Sequence, residues 1–176
     1  MGAGKTVTAQ ALAAELGGVN WIDLDEFIEA RENRTISQII ENLGENVFRE
    51  IETDALREAM LSEENVVIAL GGGTWTVEAN REIIAGSNYH PIWLDSPFEL
   101  CWTRISETNT NRPLAGQKTK TQQLFSLRRK VYQTAKSKVK ISKDKTPGDT
   151  ALEIIKLILP TKPKRAKSID KTVRSQ

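Results

Sequence analysis

A phosphate-binding signature stands near the amino end of this sequence. The order Gly4-Lys5-Thr6 is the one that closes a phosphate loop and opens a helix. In such a loop, backbone N–H groups surround phosphate oxygens at a helix N-terminus, and here they would come from Gly2, Ala3, Gly4 and Lys5. The Lys5 ammonium would reach the β and γ phosphates, and the Thr6 hydroxyl would ligate Mg²⁺. The alternative is a helix that begins with small residues, because a Gly-Lys-Thr triplet also arises by chance.

A pair of carboxylates follows in the stretch WIDLD. Asp23 and Asp25 end a predicted strand, where alternate side chains share one face. Because two like charges side by side are costly to bury, the pair indicates a nearby cation or two separate tasks. We assign Asp23 to Mg²⁺ and Asp25 to an acceptor hydroxyl. For Asp25 or Glu26 taken alone, a helix cap is the favoured interpretation.

Three consecutive glycines, Gly71, Gly72 and Gly73, stop the apolar run VVIAL. Glycines cost conformational entropy, and these would lie at the carboxyl end of a strand, where ligands approach open α/β sheets. A loose turn is the alternative. The pattern favours close approach of the backbone to a ligand.

Three arginines lie in segments that could reach such a site. Arg49 is one helical turn before Glu52, Arg112 lies in the polar stretch NRPLAG, and Arg128 shares a helical face with Tyr132. Taken singly, each has an ordinary explanation: an i,i+3 surface pair, a solvated loop and a solvated helix face.

Together these residues suit phosphoryl transfer. That reaction needs positive charge beside the transferred phosphoryl group, which Lys5 and Arg112 would supply, and a positioned acceptor hydroxyl, which Asp25 would hold. Arg49 and Arg128 add more positive charge than the phosphates require, and their guanidinium groups suit a carboxylate on the acceptor. The sequence therefore predicts a small-molecule kinase with an acidic, hydroxylated acceptor.

Helical and strand patterns alternate along the chain, which predicts an α/β fold with a parallel sheet and helices on both faces. The predicted helices cover 5–16, 26–32, 38–44 (with Ser37 as N-cap), 45–61, 77–85, 96–105, 123–136 and 149–159. The predicted strands cover 19–25, 65–70, 90–95 and 138–142. Residues 106–121 are polar and without periodicity, so they are predicted to form a lid.

Length and charge indicate one domain and a tail. The 176 residues carry a formal charge of +2, and residues 160–176 hold six Lys or Arg against Asp170, a net of +5, which leaves 2 − 5 = −3 for residues 1–159. The mildly acidic body argues against general nucleic-acid binding. The tail is predicted to be a disordered, solvated extension, with binding to nucleic acid or an acidic surface as the less favoured reading. A lone Cys101 and the lack of an apolar run of roughly 20 residues predict a cytoplasmic protein away from membranes.

The ordered set of motifs resembles the shikimate kinase family over residues 1–159. The matching stretches are MGAGKT, IDLD, GENVFREIE, ALGGG, WLD, RPLAG and LRRKVYQTA. The resemblance implies a P-loop three-layer sandwich and transfer of the ATP γ-phosphate to the 3-hydroxyl of shikimate, within chorismate and aromatic amino-acid synthesis. It also implies a monomer that takes ATP and shikimate with Mg²⁺.

The resemblance also implies roles for individual residues. Positions that hold shikimate are Asp25, Arg49, Gly72 and Arg128, with Gly71 and Gly73 flanking. Asp25 would also orient or deprotonate the attacking hydroxyl. Positions on the nucleotide side are Lys5 for phosphate, Thr6 and Asp23 for Mg²⁺, Arg112 for the lid and Arg104 against adenine. The four-residue step to Tyr132 favours Arg128 over its neighbour Arg129.

One departure from the family pattern concerns the front of the sheet. An apolar strand and a first loop glycine precede the phosphate loop in the family, and this sequence has neither ahead of Met1. We expect a natural product about 10 residues longer, one strand and a few residues, because the acidic pair and the arginines are retained. The alternative is a truncated, non-catalytic homologue that binds a metabolite or partner. Another P-loop metabolite kinase, similar to gluconate kinase, is the remaining alternative.

Overall fold

The computed structural model describes residues 2–62, 65–107 and 118–159. Arg112, most of the predicted lid and the predicted tail 160–176 lie outside these residues. The described helices are α1 (Lys5–Glu15), α2 (Leu24–Glu32), α3 (Ile36–Leu43), α4 (Glu45–Leu61), α5 (Glu78–Ala85), α6 (Phe98–Glu107), α7 (Lys118–Tyr132) and α8 (Pro147–Ile158). The described strands are β1 (Asn20–Asp23), β2 (Asn65–Ala69), β3 (Ile92–Asp95) and β4 (Ser137–Lys140), and a 3₁₀ turn covers Thr74–Thr76.

The described strands form two parallel pairs. β1 lies beside β2 with Trp21 opposite Val67, and β3 lies beside β4 with Leu94 opposite Val139. Each pair is a separate two-stranded sheet. Since parallel strands need crossover connections, the intervening helices must cover the sheet faces. The predicted parallel α/β architecture is confirmed.

Adjacent residues of β2 divide between two hydrophobic clusters. Ile68 packs on a cluster that includes Leu24 and Leu56, whereas Val67 packs on one that includes Leu12 and Ile154. Successive strand residues point to opposite faces, so apolar helices cover both sides of β2. Among the described helices, none is both long and apolar enough to cross a bilayer.

Helices α2 and α3 begin at other residues than predicted, because their N-caps are other residues than expected. β1 ends at Asp23, whose Oδ1 accepts the N–H of Asp25 at 3.0 Å and so begins α2. Asp25 therefore lies in the first helical turn, and the prediction that Asp23 and Asp25 share one strand face is wrong. Thr35, not Ser37, is the N-cap of α3, because it forms a reciprocal capping box with Gln38.

The ends of the segment predicted to form a lid, 106–107 and 118–121, lie in helices. Ser106 and Glu107 belong to α6, and residues 118–121 begin α7. Lys118 donates to Glu99 at 2.8 Å, and the Phe98 and Phe125 rings pack edge to face with centroids 5.4 Å apart. These contacts join α6 to α7. Residues 108–117, between the two helices, lie outside the described residues.

Candidate active site

The predicted phosphate loop turns sharply into α1. Gly2 has a φ of 60° and Gly4, the N-cap of α1, has a φ of 84°. Both values lie in the left-handed region that favours glycine. A Cβ on Gly2 would also overlap the backbone carbonyl of Cys101. The loop thus presents its N–H groups at the N-terminus of α1, which begins at Lys5.

Arg104 of α6 lies along this loop. Its Nη1 donates to the carbonyl of Gly2 at 3.3 Å, and a Cβ on Gly4 would lie 3.4 Å from the same nitrogen. The structure therefore brings the predicted adenine-side arginine to the phosphate loop.

One carboxylate joins α1, β1 and α2. Thr6 Oγ1 donates to Asp23 Oδ2 at 2.5 Å, and Asp23 Oδ1 accepts the N–H of Asp25. Oxygen donors of this kind suit Mg²⁺, which commonly takes one or two protein ligands and completes its octahedron with waters and substrate phosphates. In the described part of the chain, no three His, Cys, Asp or Glu side chains cluster as ligands. Thr6 and Asp23 fit a Mg²⁺ site that phosphates complete.

Gly71, the first glycine of the loop, lies against the carboxylate of Asp25. A Cβ on Gly71 would fall 2.5 Å from Asp25 Oδ1, 2.9 Å from Thr74 Oγ1 and 3.1 Å from Glu52 Oε1. Real Cβ atoms essentially never come within 3.0 Å of another heavy atom, so any larger residue would force Asp25 and Thr74 to move. The glycine is required here by space, since its φ is not in the left-handed region.

The third loop glycine lies against Arg49 of α4. A Cβ on Gly73 would fall 2.6 Å from Arg49 Nη2. The guanidinium donates to Glu52 at 2.8 Å and Glu45 at 3.0 Å and lies 5.0 Å from the Phe48 ring centroid. Burial lowers the pKa of Arg49, but the hydrogen bonds and charges of Glu52 and Glu45 outweigh it, so the pKa is raised. Arg49 is therefore held, fully charged, against the glycine loop.

Glu52 is buried. The i,i+3 pair of Arg49 and Glu52 forms, but the alternative that it is an ordinary surface pair is wrong, because the Glu52 side chain is 1% exposed and also accepts from Thr74 Oγ1 at 2.7 Å. One signal was available: Glu52 lies four residues from both Phe48 and Leu56, on the buried stripe of α4. A carboxylate on an apolar stripe indicates a buried partner.

Arg128 and Arg129 of α7 have different surroundings. Arg129 Nη2 lies 2.9 Å from Asp95 Oδ1, and its guanidinium lies over the Trp93 ring at 5.5 Å. Arg128 is half-buried, and among the described residues no carboxylate lies within ion-pair distance of it. Burial lowers the pKa of Arg128, and the positive charge of Arg49 lowers it further. Two guanidinium groups thus share one region, which favours an anion between them.

Tyr132 connects α7 to the glycine loop. Its hydroxyl donates to the Gly72 carbonyl at 2.5 Å, and its ring lies 6.4 Å from that of Trp93. Burial raises the Tyr132 pKa, so the hydroxyl keeps its proton as a donor. A small cavity of about 30 Å³ is lined by Tyr132, Arg128 and Ala3, so the phosphate loop and α7 border the same space. The sequence had indicated the shared face of Arg128 and Tyr132, but not this hydrogen bond.

The predicted residues lie in two groups, and their roles stay predictions. The residues predicted to bind the nucleotide lie around the start of α1: Gly2, Ala3, Gly4, Lys5, Thr6, Asp23 and Arg104. The residues predicted to bind the acceptor lie around the glycine loop: Asp25, Arg49, Gly71, Gly72, Gly73 and Arg128. Arg112 lies outside the described residues, and its role stays a prediction.

Comparison with known proteins gives a consistent result. The family model described as shikimate kinase matches residues 1–159. A shikimate kinase of Sulfurihydrogenibium sp. is 33% identical over 156 residues, which cover 88% of this chain and 91% of that protein. The structure of Acinetobacter baumannii shikimate kinase in complex with shikimate superposes with a TM-score of 0.80 at 34% identity, covering 90% of this chain and 88% of that one. The Aquifex aeolicus shikimate kinase structure gives 0.73 at 30% identity, covering 89% and 90%.

Proposed function

This chain belongs to the shikimate kinase family, and we propose that it transfers the γ-phosphate of ATP to the 3-hydroxyl of shikimate. Members of the family are ATP-dependent kinases, so ATP and shikimate are the two substrates. The observation that supports our assignment of the site is the glycine loop 71–73, which contacts Asp25 at one end and Arg49 at the other. A carboxylate and a guanidinium so placed suit an acceptor with a hydroxyl and a carboxylate.

In this proposal the acceptor carboxylate binds between Arg49 and Arg128. Arg49 is already fixed by Glu52 and Glu45, so it can present remaining N–H groups without a further loss of side-chain freedom. Arg128 is repelled by Arg49 in the absence of an anion. A bound carboxylate would pair with both, and each charged hydrogen bond stabilises by about 1.5–3 kcal/mol.

Asp25 would position the attacking hydroxyl. Its carboxylate lies against Gly71, on the side of the loop away from Arg49 at Gly73. From there it can accept a hydrogen bond from the acceptor hydroxyl and orient an oxygen lone pair toward the γ-phosphate. The N-terminal turn of α2 fixes the backbone of Asp25 through Asp23.

The nucleotide phosphates would bind at the N-terminus of α1. The N–H groups of Gly2 to Lys5 and the Lys5 ammonium would face the phosphate oxygens, and Arg104 would lie beside the base. Thr6 and Asp23 would hold Mg²⁺, which neutralises phosphate charge when bound. Arg112 would add positive charge from the lid, as the sequence predicts.

The acceptor assignment is tested by ADP release measured with shikimate, gluconate and AMP as alternative acceptors. We expect release to depend on shikimate alone. Because Arg128 and Arg129 are adjacent on α7, their variants form a matched pair. Arg128→Gln should raise the KM for shikimate by about 10-fold to 100-fold, the loss of one charged hydrogen bond, whereas Arg129→Gln should leave it within a few-fold. An equal rise in both variants, or turnover of gluconate in place of shikimate, would refute the assignment.

A further inference from the structure

Thr74 follows the glycine loop directly and begins the 3₁₀ turn. Its side chain is completely buried, and a buried hydroxyl is costly unless it forms a hydrogen bond. Thr74 Oγ1 donates to Glu52 Oε1 at 2.7 Å. Because a valine would fill the same volume without a polar atom, the physical reason for a hydroxyl at this position is its bond to Glu52.

The two carboxylate oxygens of Glu52 have different partners. Oε2 accepts from Arg49 Nη1 at 2.8 Å, and Oε1 accepts from Thr74. The terminal torsion of a glutamate is broad, so a hydrogen bond at one oxygen alone leaves the plane of the carboxylate free to turn. The second hydrogen bond, at the other oxygen, fixes this plane and with it the direction from which Oε2 meets the Arg49 guanidinium.

The backbone of Thr74 is held by α5. Asn80 is completely buried in the first turn of that helix, and its Nδ2 donates to the Thr74 carbonyl at 3.1 Å. The N–H of Val77 donates to the same carbonyl at 3.4 Å. Thr74 therefore joins α5, which holds its backbone, to α4, on which Glu52 lies.

The Thr74 hydroxyl lies behind the glycine loop. Its Oγ1 is 2.9 Å from the place that a Cβ on Gly71 would take, whereas Arg49 lies against Gly73. Because Thr74 is completely buried and Arg49 is 23% exposed, a bound acceptor would reach the guanidinium but not the hydroxyl. An effect of the hydroxyl on acceptor binding must therefore pass through Glu52.

We propose that Thr74 is a positioning residue for the acceptor. Its hydroxyl fixes the Glu52 carboxylate, and Glu52 then holds the Arg49 guanidinium in the orientation that binds the acceptor carboxylate. Asn80 supports this arrangement by fixing the Thr74 backbone. This role for Thr74 rests on the proposed function, because it deepens the part assigned there to Arg49.

Variants with and without the hydroxyl test this role in steady-state assays. Thr74→Val removes the hydroxyl and should raise the shikimate KM by about 3-fold to 10-fold, a partial loss of one charged hydrogen bond. Thr74→Ala, a second variant without the hydroxyl, should raise it likewise, whereas Thr74→Ser should keep it within about twofold of the parent value. The kcat and the ATP KM should stay within about twofold in all three, because the bond to the acceptor carboxylate is made equally in the ground state and the transition state.

Thr150 provides a matched control for the loss of a buried threonine hydroxyl. It is buried on α8, which packs on α1 and β4, and its Oγ1 donates to the Thr146 carbonyl at 3.0 Å. Thr150→Val should lower Tm, as Thr74→Val should, but leave the shikimate KM unchanged. An equal rise in KM in these two variants would show a general loosening of the fold and overturn the proposal. A serine variant with the KM of the valine variant would also overturn it, since the hydroxyl would then have no effect.

The orientation of Arg49 can be measured without any substrate by ¹H–¹⁵N NMR of its guanidinium. A guanidinium that is held by hydrogen bonds rotates slowly about its Nε–Cζ bond, so its two Nη groups exchange slowly. The signals of Arg49 are identified by their loss in Arg49→Lys. We expect this exchange to be faster in Thr74→Val than in the parent chain, and to be as slow as in the parent chain in Thr74→Ser and Thr150→Val.

The two measurements separate the role of Thr74 from the proposed function. A folded parent chain that does not phosphorylate shikimate would refute the proposed function, and the Arg49 exchange rate would then decide the role of Thr74 alone. Faster exchange in Thr74→Val that is restored in Thr74→Ser supports this role. An unchanged exchange rate in Thr74→Val, or an unchanged shikimate KM in that variant of an active enzyme, overturns it.

Discussion

Replacing Glu52 with glutamine removes the negative charge from the buried end of the Arg49–Glu52 pair. The carboxylate is 1% exposed and accepts from Arg49 at 2.8 Å and from Thr74 at 2.7 Å. A glutamine of the same shape can accept from only one of them with its amide oxygen, and its NH₂ group then faces another donor. The variant therefore loses one charged hydrogen bond while keeping the volume of the side chain.

The magnitude follows from the burial of the two partners. A hydrogen bond to a charged group contributes about 1.5–3 kcal/mol. Arg49 is 23% exposed and keeps Glu45 as a partner, so we expect a loss near the lower end, about 2 kcal/mol. For a chain of this size, 1 kcal/mol lowers Tm by about 2–4 °C. Glu52→Gln should therefore lower Tm by about 4–8 °C on the same scale.

Helix α4 also offers a matched control. Arg57 and Asp54 form an i,i+3 pair at 2.9 Å, but these side chains are 53% and 66% exposed. Exposed i,i+3 pairs on a helix contribute about 0.2–0.5 kcal/mol, so Asp54→Asn should shift Tm by under about 2 °C. The assay is calorimetry of both variants beside the parent chain. Equal Tm shifts would refute the reasoning, since the two ion-pair distances are alike and the pairs differ in burial and in the hydrogen bond from Thr74 to Glu52.

Three further perturbations follow from the same contacts. Arg49→Ala should weaken shikimate binding while ATP binding, measured by calorimetry, survives; equal loss of both would refute its place on the acceptor side. Tyr132→Phe removes the hydrogen bond to the Gly72 carbonyl and should raise the shikimate KM by about 3-fold to 10-fold with the ATP KM unchanged; a change in the ATP KM alone would contradict this. The hydroxyl and then the backbone N–H of Thr146 lower the pKa of Asp149 below 3.8, so the stability it contributes is complete above that pH and is lost as pH falls through the lowered pKa. Asp149→Asn should make the free energy of unfolding depend less on pH below 3.8, as measured by acid unfolding. An unchanged dependence on pH would contradict the linkage.

The sequence was informative where local chemistry determines structure. Helix α4 spans the predicted 45–61 because apolar side chains recur along it at helical spacing, as at Phe48, Leu56 and Ala59. The run of glycines coincides with a crowded position, because no larger residue than Gly71 fits beside Asp25, and approach of this backbone to a ligand stays a prediction. The parallel architecture followed from the alternation of strands and helices.

Other features depend on contacts that a sequence does not display. The predicted position of Asp25 on a strand is wrong because the Asp23 side chain caps α2, so that β1 ends two residues before the predicted end. Glu52 can be buried because it accepts hydrogen bonds from Arg49 on the same helix and from Thr74 in a separate segment. The ion pair of Arg129 with Asp95 depends on how α7 packs against β3, 34 residues away.

The central claim is that this chain phosphorylates shikimate from ATP, and the most direct measurement is ³¹P NMR of ATP, Mg²⁺ and shikimate incubated with the folded protein. We predict equal amounts of ADP and shikimate 3-phosphate, with no ADP formed when shikimate is left out. ADP that forms at the same rate without shikimate, or a folded chain that produces no phosphorylated shikimate, would contradict the account.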